Sequence, residues 1–299
     1  MDLQNKAAVI GGLNADIWGR AFGPIILRDS NPGSVTLTPG GVGRNIAHNL
    51  CLLGLDVSLV SAVGDDSNGE FLLDRCRGLG MDVSRVRVVP GARSSSYLYI
   101  TDERGDMQLA VNDMAVCNEI SPEYLERVLP GIQAGALVLD TNLPVESLEF
   151  ICRSSCIPLY ADPVSSVKAM KLHGVMKHLR AIKPNALEAA ALTGQTDPEL
   201  AARALIDEGV QRVFISLGTN GMIAAEGSRI LRMPSPEANV VNATGAGDAA
   251  MSAIVWADLH GLSLEDSARA AQLAGAITCA SEESNAPELS RLPGLLAAE

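Results

Sequence analysis

RNIAHNLCLLGLDVSLVSAVG, residues 44–64, sets a helix directly before a buried strand. Ile46, Leu50 and Leu53 fall on one helical face, and Gly54 stands where a glycine ends a helix. VSLVSAVG (57–64) is apolar almost throughout, the pattern of a strand covered on both faces. The rhythm continues outward. AAVIGG (7–12), ALVLDT (136–141), PLYADP (158–163), RAIKPN (180–185) and RVFISLG (212–218) read as strands. ALEAAALTG (186–194), PELAARALIDEG (198–209) and residues 248–260 read as helices between or after them. Such alternation predicts a parallel sheet sandwiched by helices, a three-layer α/β/α fold. Residues 15–39 and 93–113 break the pattern. The second reads as a hairpin turning at Asp102–Gly105. Together they predict a small β-sheet lid inserted into the body, and the expectation is one domain over residues 1–299.

The composition suits that reading. Of 299 residues, 47% are hydrophobic and only 3% aromatic, so the core is built from Ala, Val, Leu and Ile. Acidic residues outnumber basic ones 35 to 23, a net charge of -12 with no basic run, which argues against nucleic acid or an anionic membrane as partner. No apolar run reaches the roughly 18 residues of a membrane span. MDLQNKAAVIGG lacks the charged-then-apolar order of a secretory signal. The six cysteines show no metal-binding spacing and read as reduced thiols of a cytoplasmic protein.

The chemistry concentrates in VVNATGAGDAAMSAIVWADLHG (240–261). A β-like run enters the small-residue turn Thr244–Gly247, and a helix starts near Asp248. Small residues bring backbone N–H groups close to a ligand, and a helix N-terminus adds unpaired N–H groups and a positive dipole end. That combination suits charge building up on a transferred phosphoryl group. Asp248 at its mouth is placed to take a proton from an attacking hydroxyl. The plainer alternative is a capping aspartate beside an ordinary glycine turn. The chain has no G-x-x-x-x-G-K-[ST], and GGLNAD (11–16) is not G-x-G-x-x-G, which leaves a dinucleotide cofactor a weak alternative.

TGAGDA (244–249) resembles the C-terminal signature of the ribokinase-type (PfkB) carbohydrate and nucleoside kinases. PGGVGRNIAHNLCLLG (39–54) resembles their N-terminal Gly-Gly signature, and GDDSNGEFLLDRCRGLGMD (64–82) the segment that follows. IKPNALEAAALTG (182–194) resembles their K-x-N-x-x-E region, and ISLGTNG (215–221) their nucleotide loop. Five motifs in family order cover nearly the whole chain. The resemblance implies a ribokinase-like kinase using ATP as phosphoryl donor with Mg²⁺. By it, Asp248 is the catalytic base, and Gly245, Ala246 and Gly247 form the anion hole. Asp16, Gly40, Gly41 and Asn45 hold sugar hydroxyls. Asn185 and Glu188 organise Mg²⁺ through water, and i,i+3 spacing puts them on one face of a starting helix. Alone, Glu188 would read as an exposed first-turn acid favoured by the helix dipole. Asn185, Ser216, Gly218, Thr219 and Gly221 line the ATP. Many relatives carry Asp where Asn242 stands, some using it for a monovalent cation. Asn keeps an oxygen ligand but loses the charge, which puts potassium activation in doubt.

Finer features point to a substrate. RDSNPGSVTLTPGGVGRNIAHNL (28–50), AVNDM (110–114), ADPVSSVKAMK (161–171) and the variant NATGAGDA resemble the pseudouridine-phosphorylating members of the family. Asn14, Asn112, Asp113 and Asn142 fall at strand ends or on lid strands, where amides pair with a uracil-like edge; each alone reads equally well as a turn or edge residue. Lys168 is either a loop anchor or a solvated lysine. Ribokinase, fructokinase and purine nucleoside kinase activities are the rival readings. A catalytically silent sugar- or nucleotide-binding regulator is a further rival, disfavoured by the intact base and metal signatures. The expected partner is a small nucleoside, and exposed lid edges predict a homodimer through the lid.

Overall fold

The structure, a computed structural model, describes residues 3–297. Its strands are β1 (Lys6–Ile10), β2 (Asn14–Ala21), β3 (Gly33–Gly40), β4 (Asp56–Gly64), β5 (Asp82–Val89), β6 (Ser96–Thr101) and β7 (Met107–Asp113) in the first half. They continue as β8 (Ala136–Asp140), β9 (Leu159–Asp162), β10 (Leu179–Ile182), β11 (Arg212–Ser216), β12 (Met222–Glu226) and β13 (Arg229–Met233). Nine form one sheet in the order β13-β12-β11-β10-β9-β8-β1-β4-β5. From β11 to β5 every pairing is parallel; β12 and β13 add an antiparallel edge. The four remaining strands make a second sheet, β3-β2-β6-β7.

Strand alternation builds the three layers. Ala7 and Val9 of β1 point into one apolar cluster, Ala8 and Ile10 into another. Helices Val42–Leu52, Ser67–Gly78, Ala246–Leu259 and Leu264–Cys279 cover the first face. Pro122–Val128, Val145–Ser154, Ala186–Thr193 and Pro198–Asp207 cover the second. Both faces being dry explains why the central strands read as unbroken apolar runs.

All six expected strands and four expected helices are present, and the two rhythm-breaking stretches supply β2, β3, β6 and β7. The second is a hairpin in which the Gly105 amide donates to the Asp102 carbonyl at 3.0 Å. The sequence reading passed over β12 and β13, where MIAAE and RILRM lack an intervening helix to frame them. One expectation is corrected. The β-like run before the anion turn is not a strand: Val240 and Val241 are exposed, and the amides of Val241 and Asn242 donate to the Cys279 carbonyl, so the end of a helix takes the bonds a neighbouring strand would have received.

Candidate active site

The chemistry-bearing residues gather at the carboxyl ends of the central strands, where ligands of parallel α/β sheets sit. Gly11 and Gly12 follow β1, Asp140 ends β8, Asp162 ends β9, Lys183 follows β10 and Ser216 ends β11. Three cavities of about 460, 500 and 250 Å³ lie elsewhere. The largest opens around Lys6, Asp56 and Arg85, at the amino ends of the strands, and none touches Asp248.

The helix carrying Asp248 begins earlier than expected, at Ala246, with Gly245 as N-cap at φ 84°. A side chain at Gly245 would be strained by that φ and would run into the Ser284 carbonyl, 2.1 Å from an ideal Cβ. Asp248 therefore sits inside the first turn and is buried, and its carboxylate caps nothing. The plain capping role is excluded. Its Oδ2 instead accepts from Asn45 Nδ2 at 2.7 Å, across from the Val42–Leu52 helix. Burial first, then the charge of Asp162, push its pKa up to about 7, against the lowering effects of Asn45 and Lys183. A carboxylate so tuned is a proton acceptor near neutral pH. Asn45 Oδ1 is buried with no partner, an acceptor free for a hydroxyl donor.

The Gly-Gly turn is held by a residue that sequence reasoning missed. Buried Asp140 accepts from the amides of Gly12 and Gly43 through Oδ2, both at 2.8 Å, and from the Asn142 amide through Oδ1 at 2.8 Å. The carboxylate fastens the β1 loop to the helix start. Gly41, at φ 99°, could not carry a side chain, because an ideal Cβ lies 2.4 Å from the Gly12 carbonyl. Asp16 sits against Gly40, accepts from Asn14 Nδ2 at 2.5 Å and has its pKa raised to about 6 by burial, against the lowering effects of Arg44 and Asn14. Arg44, also missed, is buried. It donates to Asn285 Oδ1 at 3.0 Å and to the Pro39 carbonyl, tying the helix to the base of the lid.

On the other side of Asp248, Lys183 and Asp162 form a buried ion pair at 3.2 Å. Lys183 Nζ lies 3.3 Å from the place a Cβ would occupy on Gly247, which puts its ammonium against the anion turn. Burial works to lower its pKa, but the charges of Asp162, Glu188 and Asp248 outweigh it and raise it. The sequence signal was present, since Lys183 is the lysine of K-x-N-x-x-E, yet no role was assigned to it. Asn185 and Glu188 make a capping box: the Glu188 amide donates to Asn185 Oδ1 at 2.9 Å, and the Asn185 amide to Glu188 Oε2 at 2.8 Å. Glu188 is buried, not the exposed acid of the plainer alternative, and burial raises its pKa. Asn185 bridges Ser216, which joins the expected metal and nucleotide regions. Gly218 and Thr219 lie exposed in the following turn, while Gly221 is buried at φ 94°.

Other expected residues divide. Asn142 Oδ1 accepts from Lys168 Nζ at 2.6 Å, so Lys168 anchors this loop. Asn112 is exposed near the end of β7, and Asp113 Oδ1 accepts from the Ala115 amide at 3.2 Å, a local turn contact. Asn242 works within the protein. Its Oδ1 accepts from the Thr244 amide at 2.9 Å, and its Nδ2 donates to the Glu282 carbonyl at 3.0 Å.

A buried, neutral-tuned carboxylate in the first turn of a helix behind a glycine turn, with Asp16 and Asn14 close by at the base of the lid sheet, is the arrangement of a phosphoryl-transfer site on a ribokinase-like α/β fold. The pfkB family carbohydrate kinase model matches residues 4–291, and the chain belongs to that family. It is a kinase with an alcohol group as acceptor. It is 38% identical to the pseudouridine kinase of Escherichia coli K12 over 96% of this chain and 94% of the relative. It is 37% identical to the uncharacterized sugar kinase YeiI of the same organism, over 96% and 82%. Among solved structures, a carbohydrate kinase from Agrobacterium tumefaciens superposes with TM-score 0.84 at 28% identity, covering 98% of this chain and 97% of that one.

Proposed function

We propose that this chain transfers the γ-phosphoryl group of ATP to the 5′-hydroxyl of pseudouridine. The observation that carries the reading is Asp248, buried, pushed to about 7 and held by Asn45 in the first turn of an anion-binding helix. Asp16 and Asn14 orient the ribose hydroxyls, with Asn45 Oδ1 free to accept another. Asp248 then takes the proton of the 5′-hydroxyl, whose oxygen bonds to the γ-phosphorus. The bond from that phosphorus to the β–γ bridging oxygen breaks, and ADP leaves with the electron pair. Backbone N–H groups of residues 245–247 and the Lys183 ammonium stabilise the charge on the transferring group.

The donor set fits Mg²⁺. The charges of Asp162, Glu188 and Asp248 all act on one ammonium, that of Lys183, which lies 3.2 Å from Asp162 Oδ2. A triphosphate adds more negative charge than Lys183 can offset. Among the described residues no group of three His, Cys, Asp or Glu side chains could hold a metal alone, which suits an ion bound mainly by phosphates and water with one or two carboxylates near. When bound, it would neutralise phosphate charge. Glu188 and Asp162 are the residues that would hold it through water.

The match to pseudouridine kinase supports the nucleoside; the nearly equal match to a sugar kinase supports a second reading, a free sugar as acceptor. ADP release with pseudouridine, uridine, adenosine, ribose and fructose in parallel tests both. Pseudouridine should give the highest kcat/KM, and Asp248→Asn should lower kcat by about 10²–10⁴-fold. A better rate with ribose or fructose would replace pseudouridine by a sugar.

A further inference from the structure

The chain is poor in aromatics, with two Trp, four Tyr and four Phe. Three of these ten stand together on the lid. Trp18 and Tyr99 lie nearly parallel, 10° between planes and 6.2 Å between centroids, and Tyr97 follows Tyr99 at 5.4 Å. The register places them. Asp16 pairs with Tyr97 and Trp18 with Tyr99 across β2 and β6, so all four side chains share one face of the lid sheet. That face also carries Asn14, which bonds Asp16, and Asn112, paired with Tyr97 across β7. The opposite face is aliphatic, with Ile17, Leu37, Leu98 and Val111.

The aromatic row thus begins at Tyr97, directly across from Asp16, the carboxylate proposed to hold the ribose, and Trp18 stands one side-chain step, about 7 Å, further along the same face. Its rings are half-buried rather than packed into a core. The indole N–H of Trp18 is already used, donating to Thr101 Oγ1 at 2.9 Å, which fixes the ring and leaves only its π surface to offer. A sugar ring meets such a surface only through the C–H groups of one puckered face, whereas a nucleobase attached at C1′ of a ribose held by Asp16 offers a full planar π face.

We propose that Trp18, with Tyr99 and Tyr97 behind it, is the platform on which the base of the acceptor stacks, and that it makes this kinase prefer nucleosides to free sugars. The inference rests on the nucleoside reading above and deepens it. Stacking tolerates any planar heterocycle, so the platform selects for a base, while polar groups such as Asn112 select among bases.

The test uses Trp18→Leu and Trp18→Phe, with KM and kcat for pseudouridine, uridine and ribose. Base–aromatic stacking predicts that Trp18→Leu raises KM for both nucleosides by about 5- to 100-fold with ribose kinetics unchanged, and that Trp18→Phe recovers most of the loss. An independent readout is fluorescence. Trp256→Phe leaves Trp18 as the sole tryptophan, and Trp256 stacks on His260 near the far end of its helix, away from Asp248. In that variant pseudouridine should quench emission and ribose should not. Equal losses for nucleosides and ribose in Trp18→Leu, or nucleoside turnover without quenching, would overturn the platform while leaving the nucleoside reading in place. A wild type that phosphorylates ribose or fructose and no nucleoside would overturn both.

Discussion

Removing the Asn45 amide should move the pH dependence of the reaction in a predictable direction. Asn45 Nδ2 donates to Asp248 Oδ2 at 2.7 Å inside a buried site. The bond favours the ionised carboxylate and so holds the Asp248 pKa down against burial and Asp162. A hydrogen bond to a charged group contributes about 1.5–3 kcal/mol, and one pKa unit corresponds to about 1.4 kcal/mol. Asn45→Ala should therefore raise the pKa by about one to two units. A base must be ionised to act, so in the wild type log kcat/KM should fall below about pH 7 with unit slope. It should steepen below about 6, where Asp16 also protonates. In Asn45→Ala the first limb should shift alkaline while the Asp16 step stays near 6. The assay is ADP release from pH 5.5 to 9.5, with kcat and KM resolved at each pH. In the proposed site Asn45 Oδ1 also accepts from a sugar hydroxyl, so a pH-independent rise in KM is expected and does not count. A limb that stays put, or moves toward acid, would refute Asp248 as the titrating base.

Glu188→Gln should raise the Mg²⁺ concentration for half-maximal rate and lower kcat, with at most about 1 kcal/mol lost from denaturant stability because Gln can still close the capping box; an unchanged Mg²⁺ profile would leave Glu188 as a helix cap alone. Exchanging Na⁺ for K⁺ at fixed ionic strength should change the rate only modestly, because Asn242 already bridges the Thr244 amide and the Glu282 carbonyl with its own amide. A strong, saturable K⁺ requirement would contradict that. The aliphatic lid face leaves Val35 78% and Leu109 59% exposed, more apolar surface than an isolated sheet usually shows to water. Light scattering should give twice the 31.3 kDa chain mass, and Leu109→Arg should return it to the single-chain value; a wild-type monomer would end the homodimer reading.

How far the sequence revealed this site depended on what kind of force places each residue. Local rules did well. Periodicity located the central strands because both sheet faces are dry, and N-x-x-E placed Asn185 and Glu188 together at a starting helix, where the structure adds a capping box that was not foreseen. Asp248 stood out through its turn. Asp140 did not, because the two bonds that fasten the site reach Gly12 and Gly43, 128 and 97 residues away, and nothing near it in the chain marks them. Arg44 was equally silent, since its side-chain partner Asn285, 241 residues away, meets it only after the C-terminal loop folds back, and its other partner is a backbone carbonyl that leaves no mark in the sequence. β12 and β13 escaped because an antiparallel edge breaks the strand–helix alternation that framed the central strands.

The residues that sequence reading missed share one property. Asp140 holds the Gly-Gly turn, Arg44 ties that turn to the lid, and Lys183 with Asp162 sets the field around Asp248. Each is a buried charge, costly to place unless its partners are fixed. Here the partners are backbone amides, a carbonyl and an opposite charge, all supplied by different elements. The charges therefore stabilise the site only when the main sheet, the lid base and the C-terminal loop are assembled together. Asp16, Asn45 and Asp248 reach working geometry under the same condition. The lid base at Pro39 and the anion turn lie more than 200 residues apart in the chain, yet the Val42–Leu52 helix connects them: Arg44 reaches Pro39, and Asn45, one residue on, reaches Asp248. Two adjacent side chains of one helix turn thus hold the lid base on one side and Asp248 on the other.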